Sequence, residues 1–336
     1  MKLKEFDYQL PKSFIAQKPL KKRDMSRLMV LARTTKKIEE KCFKDIIDYL
    51  SEGDCLVLND TRVMPVRLYG KRKTGGKVEI FIIDLDQKSP RALIKPSRRI
   101  KEGEKIDLEN GAQVMVLGKA EHGRFVKFDS SIEEVLKGGH MPLPPYITRR
   151  DDICDKDTYQ TVYSRKKGAT ASPTAGLHFT KGLLSKIKNK GVSLAYVTLH
   201  TGYGTFAPVA AENIKDHIMH SEWYEMTEDA AQTINKTKSS GGRVFAVGTT
   251  STRVLETAAE KQGKVKAVSG YTDLFICPGY EFKIADGLIT NFHLPKSTLL
   301  MLVSAFAEKD FILNAYKKAI ELNFRFFSYG DAMLIV

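Results

Sequence analysis

Scarcity narrows the chemistry before any motif does. Cysteine occurs four times in 336 residues, at Cys42, Cys55, Cys154 and Cys277, with no C-x-x-C pair. Neither a disulfide framework nor a structural zinc site is expected, and the pattern fits a reducing cytoplasm. Long apolar runs are missing as well. The longest, "STLLMLVSAFA" (297–307), is too short to span a bilayer, so no membrane association is expected. The opening "MKLKEFDYQL" threads charges through itself and has no apolar centre, so a secretory signal is not expected. No internal repeat or low-complexity tract stands out. H-E-x-x-H is absent: "DHIMHSEWYEM" (216–226) sets His217 and His220 at i, i+3 near Glu222, which leaves metal a minority reading and no metal ligand expected. "TGYGT" lacks the third glycine and following helix of a dinucleotide fingerprint, so it reads as a loop for close backbone approach.

What is present describes an ordinary globular protein, 42% hydrophobic and 28% charged, long enough for two domains. Its net charge is +14, unevenly placed. Residues 61–150 carry 19 Lys and Arg against 11 Asp and Glu, a local +8. Such a patch is either a solvated surface or a phosphate-facing module, since clustered cations gain free energy by releasing counterions from a polyanion. The same segment holds "RVMPVRLYGKR", "GKVEIFIIDL", "RALIKPSRRI", "AQVMVLGKA" and "GRFVKFDS", short runs rich in β-branched and aromatic residues punctuated by Gly, Pro or Asn. That spacing predicts an antiparallel barrel or sandwich, ending at "GGHMPLPPYITRR".

Both flanks differ. Residues 41–60 read as a short helix, "CFKDIIDYL", and a buried strand, "DCLVLND". The second half alternates strands with helices. "TKGLLSKIKNKG" (180–191) has Thr180 as N-cap and Gly191 as stop, and "VSLAYVTLH" follows as a strand. "GRVFAVG" (242–248) runs into the helix "TTSTRVLETAAEKQG", and "GLITNF" (287–292) precedes a helix capped by Ser297 or Thr298. The expected architecture is an α/β main domain, residues 1–60 and 151–336, with an inserted basic antiparallel β-barrel domain at 61–150. Ligands of such sheets bind beyond the carboxyl ends of the strands. "TLHTGYGTF", "AVGTTSTR" and "ITNFHLPKST" all sit at those ends, and "SPTAGLHF" (172–179) is a further small-residue loop. His178, His200 and His293 lie in these loops, where function and a structural hydrogen bond are equally expected. In "KPLKKRDMSRLMVL" (18–31), Asp24, Ser26 and Arg27 suggest a solvated turn or an anion clamp; Asn59, Asp60 and Arg62 mark the interdomain join.

Taken in order, "FDYQLPKSFIAQKPLKKRDMSRLMVL", "NDTRVMPVRLYGKRKTGGKVEIF", "LPPYI", "YQTVYSRKKGATASPTAGLHFT", "VTLHTGYGTFAPV", "HIMHSEWYEM", "VGTTSTRVLE", "ITNFHLPKSTLLMLVSAF" and "RFFSYGDAML" resemble one family over nearly the whole chain. It is the S-adenosylmethionine:tRNA ribosyltransferase-isomerase family of the queuosine pathway. Thr170 and Ser172 depart conservatively from the small apolar residues more usual there. The resemblance implies the same two-domain architecture and a reaction in which S-adenosylmethionine (AdoMet) is a co-substrate, with no separate cofactor. Its ribosyl part passes to the aminomethyl group of 7-aminomethyl-7-deazaguanine in a tRNA anticodon, giving epoxyqueuosine, adenine and methionine.

In such a reaction the sulfonium acidifies the ribose C5′ protons, a base removes one, and adenine needs an acid to leave. His178, His200 and His293 are the candidates for base and acid. Gly202, Gly204, Thr205, Thr249, Thr250 and Asn291 are expected to hold sugar and adenine, and Asp24, Arg27 or Arg253 the methionyl end. For tRNA, Arg98, Arg99, Arg149, Arg150 and, from "SRKKG" (164–168), Arg165, Lys166 and Lys167 are expected to meet phosphates. A monomer is the expected state. Two rivals stay open: an AdoMet-dependent RNA methyltransferase, against which no G-x-G-x-G loop follows an early strand, and a non-catalytic RNA-binding protein, for which the Gly/Thr/His loops are superfluous.

Overall fold

The computed structural model describes residues 1–84, 90–202, 204 and 209–336. Strands β1 (Arg27–Leu31) and β2 (Ile38–Cys42) pair as a hairpin. A 3-10 helix at Phe43–Tyr49 occupies the place of the expected short helix, and β3 (Cys55–Asn59) follows it. After β4 (Thr61–Val63) come β5 (Arg67–Arg72), β6 (Lys77–Asp84), β7 (Arg91–Lys95), β8 (Lys105–Leu108), β9 (Gln113–Lys119) and β10 (Arg124–Phe128). Short helices α1 (Ile132–Lys137) and α2 (Asp155–Thr158) lead to β11 (Lys166–Ala169). The rest alternates: α3 (Lys181–Asn189), β12 (Ser193–Leu199), β13 (Glu222–Met226), α4 (Glu228–Ser239), β14 (Val244–Val247) and α5 (Gly248–Thr257). Then come β15 (Val268–Thr272), β16 (Gly287–Asn291), α6 (Thr298–Ala307), α7 (Lys309–Glu321) and β17 (Ala332–Ile335).

Two sheets dominate. Strands β5–β10 close into an antiparallel barrel in the order β10-β7-β6-β5-β8-β9. Its interior is filled by alternate residues such as Leu68, Ile80, Ile94, Ile106, Val116 and Val126. The barrel strands thus occupy 67–128. Thr61–Val63 pairs instead with β11 in a separate two-stranded parallel ladder. A cluster containing Ala16, Val63, Met141, Leu143, Ile147, Tyr159, Leu177 and Tyr329 packs the barrel's flanking segments against the larger body.

The larger sheet has nine strands in the order β15-β13-β12-β3-β14-β16-β17-β1-β2. Its centre, β12-β3-β14-β16, is parallel, while β17 runs against β16 and carries β1 parallel to itself. Strand β3 shows why both faces are covered. Cys55 and Val57 join a core beneath α4–α7, and Leu56 and Leu58 join one beneath α3. A five-residue run buried throughout is what a parallel strand between two helical layers requires. The helices start where hydroxyls stop them: Thr180 Oγ1 accepts from Leu183 N at 3.1 Å, and Ser297 Oγ from Leu300 N at 3.2 Å. Because the four central strands share one direction, Asn59, Leu199, Val247 and Asn291 all finish along the same edge.

Candidate active site

Along that edge lies a cleft of about 370 Å³, within the range of small-molecule sites. Strand β14 turns directly into α5 through Gly248, whose φ of +88° is one that side chains rarely adopt. The turn brings Thr249 and Thr250 to the cleft, and the end of β16 brings Thr290, Asn291 and His293. Thr250 Oγ1 accepts from Asn59 Nδ2 at 3.1 Å, which leaves its own O–H to donate. The first turns of α5 and α6 both border the space, so free amide N–H groups and partial positive charge face a ligand from two directions. Opposite stand Tyr146 and Phe327, their ring centroids 4.5 Å apart, with Tyr146 and Ser328 hydroxyls hydrogen-bonded at 2.6 Å. Two lining hydroxyls, Ser172 Oγ and Thr201 Oγ1, are buried without a hydrogen-bond partner among the described residues. Buried polar atoms rarely stay unsatisfied, and these two point to a ligand's polar groups.

The three histidines separate. His293 lines the cleft, with Nε2 at 2.9 Å from Thr290 Oγ1 and its backbone N–H donating to Tyr316 Oη at 3.0 Å. Burial pushes its pKa down to about 3, so the ring is neutral. His178 lies behind the cleft wall, stacked on Phe43 at 4.9 Å. Its Nε2 meets Asn291 Nδ2 at 3.0 Å and its Nδ1 meets Ser26 Oγ at 2.7 Å. Asn291 also accepts from Thr174 Oγ1 at 2.9 Å and donates to the Phe327 carbonyl. That network fixes the amide orientation, so Nε2 accepts and the proton resides on Nδ1. Burial first, then Arg325 and Arg23, push the His178 pKa down to about 3. His200 faces away, toward the β4–β11 ladder, stacked on Trp223 at 4.9 Å and bonded to Thr61 Oγ1 at 2.8 Å. Burial lowers its pKa also, opposed by Asp60. The backbone of β11 passes so close that a Cβ on Gly168 would stand 2.6 Å from His200 Nε2.

A recess of about 80 Å³ adjoins the cleft and shares Thr249, Thr250 and Leu299 with it. Gly204 and Arg253 line this recess, together with His217, His220 and Glu222. Arg253 is buried in an ion pair with Glu222 and donates to the Leu274 and Thr272 carbonyls at 3.1 and 3.2 Å. Glu222 in turn accepts from Gly202 N at 2.9 Å. Arg253 therefore anchors the Gly202 backbone through Glu222 and presents no open fork to a carboxylate.

The sequence pattern of the family described as "Queuosine biosynthesis protein" matches residues 3–335. An S-adenosylmethionine:tRNA ribosyltransferase-isomerase of Staphylococcus epidermidis is 54% identical, with both chains covered in full. One of the same name from Halothermothrix orenii is also 54% identical over both full lengths. The chain belongs to the S-adenosylmethionine:tRNA ribosyltransferase-isomerase family. A crystal structure of S-adenosylmethionine tRNA ribosyltransferase from Thermotoga maritima is 39% identical, covers 99% of this chain and 100% of its own, and superimposes with a TM-score of 0.58.

The remaining residues singled out by sequence fall into distinct places. Asp24 and Arg27 lie away from the cleft. Asp24 accepts from Thr180 Oγ1 at 3.1 Å, and Arg27 pairs with Glu40 at 2.7 Å over the Phe324 ring. Arg27 opens β1 beside the edge strand β2, which directs its side chain to the sheet margin. Thr205 lies outside the described residues. Of the cations, Arg98, Arg99, Arg150 and Lys167 are exposed and form no ion pair among the described residues, Arg150 lying over the Tyr69 ring. Arg149 is clamped bidentately by Asp155 at 2.6 and 2.8 Å, Arg165 pairs with Asp60 at 2.8 Å, and Lys166 with Glu225. Among the described residues no group of three or more His, Cys, Asp or Glu is arranged to hold a metal, and no helix is long and apolar enough to cross a membrane. Sequence reasoning missed Tyr146, Ser172, Thr201, Phe327 and Ser328 as cleft residues. "LPPYI" and "RFFSYGDAML" carried the family resemblance but no chemical signal of their own.

Proposed function

We propose that the cleft seats AdoMet and that the enzyme passes its ribosyl moiety, with isomerisation, to the aminomethyl group of 7-aminomethyl-7-deazaguanine in a tRNA anticodon. The products are epoxyqueuosine in tRNA, adenine and methionine. Membership of the family supports the reaction class. The observation that carries the assignment to this cavity is the pair of buried hydroxyls, Ser172 and Thr201, without a hydrogen-bond partner among the described residues and facing a cleft bordered by two helix N-termini. Ribose hydroxyls and a carboxylate match such donors.

The residues divide the work by position. His293 is the base: neutral at working pH, it takes a C5′ proton acidified by the sulfonium, and Thr290 at 2.9 Å gives that proton an onward partner. His293, protonated in that step, returns its proton to adenine as it leaves; the tRNA amine then attacks, losing a proton to solvent, and epoxide closure expels methionine. Asn291, held by His178, Thr174 and the Phe327 carbonyl, offers its Oδ1 to a sugar hydroxyl or the adenine amino group. His178 is a positioning residue. Thr249 and Thr250 supply hydroxyls at the α5 N-terminus, and Tyr146 and Phe327 give the adenine apolar faces. The exposed barrel-side cations Arg98, Arg99 and Arg150, with Lys167, meet tRNA phosphates in the cytoplasm, the protein acting as a monomer.

AdoMet labelled separately in ribose and in methyl, incubated with tRNA bearing the aminomethyl base, tests this. Ribosyl label enters the RNA, the methyl label leaves on methionine, and adenine appears in equal amount. Methyl label in RNA identifies a methyltransferase instead, and the absence of adenine release identifies a non-catalytic binder.

A further inference from the structure

On the far side of His178 from the cleft is a second small pocket, about 70 Å³, lined by Lys21, Arg23, Ser26, His178, Arg325 and Tyr329. We propose that this pocket holds a backbone phosphodiester of the RNA substrate, next to the nucleotide that reacts. The proposal rests on the tRNA reading above.

Charge argues it first. Among the described residues no carboxylate lines the pocket, although two arginines and a lysine do. Arg23 donates to the Gln160 and Asp157 carbonyls at 2.6 and 2.7 Å, neutral acceptors that aim the guanidinium without cancelling its charge. Arg325 stands 3.7 Å from Asp331, whose two oxygens already accept the backbone N–H groups of Arg27 and Arg325 at 3.1 and 2.8 Å. Lys21 is exposed and has no ion-pair partner among the described residues. The His178 ring reports that positive charge: after burial, Arg325 and Arg23 are what disfavour its protonation. A mobile anion is the missing counter-charge, and Arg and Lys together suit phosphate oxygens.

Size and position narrow the anion. The pocket, about 70 Å³, has room for a tetrahedral oxyanion among its cations. Only one imidazole separates the pocket from the cleft, since His178 Nε2 lies 3.0 Å from Asn291, and Ser328 borders both spaces. A nucleotide reacting in the cleft carries its neighbouring phosphate to this point. The stretch "KPLKKRDMSR" supplies the cations through Lys21 and Arg23, while its Asp24 and Arg27 turn elsewhere.

The test compares wild type with Lys21→Glu and Arg325→Gln, using an anticodon stem-loop that bears the aminomethyl base. Each variant weakens stem-loop binding about tenfold, lowers the slope of log affinity against log salt by about one, and leaves AdoMet affinity unchanged. Thermal unfolding of Lys21→Glu, altered at an exposed site, matches wild type. A neutral methylphosphonate at the linkage beside the target nucleotide produces the same loss in wild type and no further loss in Lys21→Glu. Unchanged RNA affinity and salt slope in both variants overturn the proposal, as does a fall in AdoMet affinity with RNA binding intact. Additive losses from variant and methylphosphonate overturn it too. Inorganic phosphate competing with AdoMet but not with the stem-loop would assign the pocket to a free anion and sink the phosphodiester. Wild type that turns over tRNA normally beside unaltered variants refutes only this pocket, whereas wild type inert toward tRNA removes the reading beneath it.

Discussion

Acid should unfold this protein through its histidines, by an amount that follows from their burial. His178 and His293 have ordinary pKa values near 6.5 in the unfolded chain and about 3 in the folded one. Between those values the unfolded state binds more protons, so stability is complete above 6.5 and falls as pH drops below it. Integrating from about pH 7.5 to about pH 5 gives roughly 2 kcal/mol lost per histidine, about 4 kcal/mol for the two. His178→Gln keeps an amide able to reach Ser26 or Asn291 but cannot titrate. Urea unfolding at a series of pH values should show that variant losing about 2 kcal/mol less than wild type over the same interval. His200 and His217, also depressed by burial, contribute equally to both proteins, so the difference isolates His178. Identical losses would refute the claim that His178 is held neutral between Ser26 and Asn291.

Three other outcomes follow from the geometry. Ser172→Ala and Thr201→Val each weaken AdoMet binding by about 1 kcal/mol, roughly fivefold, without lowering the urea midpoint, because neither hydroxyl has a partner to lose among the described residues; calorimetry and denaturation read the two effects, and a stability loss with unchanged affinity argues against a ligand there. Arg253→Met leaves Glu222 buried without its guanidinium and costs about 3–5 kcal/mol of folding free energy; an unaffected unfolding midpoint contradicts the anchoring role. Charge reversal of Arg98 and Arg99 lowers tRNA affinity and reduces its salt slope by about two while AdoMet binding holds; filter binding across a salt series decides it, and an unchanged slope moves the tRNA to another face.

Much of this was legible in the chain. "GRVFAVG" followed by "TTSTR" reads as strand, tight turn and helix because local rules decide each step, and the result is β14 and α5, although α5 starts at Gly248 with Val247 before it and no Thr or Ser side chain capping it. Parallel neighbours then force the loops after β12, β14 and β16 onto one edge, so a cleft there was foreseeable. Histidine roles were not. A small-residue loop announces that a ring is held closely, and what holds it comes from elsewhere: Ser26 lies 152 positions from His178, and Thr61 lies 139 from His200. The aromatic wall is similarly remote, for Tyr146 and Ser328 are 182 residues apart. Within "KPLKKRDMSR" it is Arg23, not Arg27, that lines the small pocket beside His178, because a 3-10 turn at Arg23–Met25 ends as β1 begins, and the strand sends Arg27 toward Glu40. Strand β17, a four-residue apolar run, carries no sign that it belongs between β16 and β1.

That last placement has a consequence for biogenesis. Among the described residues the β1–β2 hairpin is hydrogen-bonded into the nine-stranded sheet only through β17, some three hundred residues downstream. During synthesis the free edge of β1 must therefore wait unpaired until residues 332–335 have left the ribosome, a long-range closure of the kind that slows folding and invites chaperones. Loss of residues 332–335 would set the hairpin adrift and, with it, the neighbouring turn bearing Arg23.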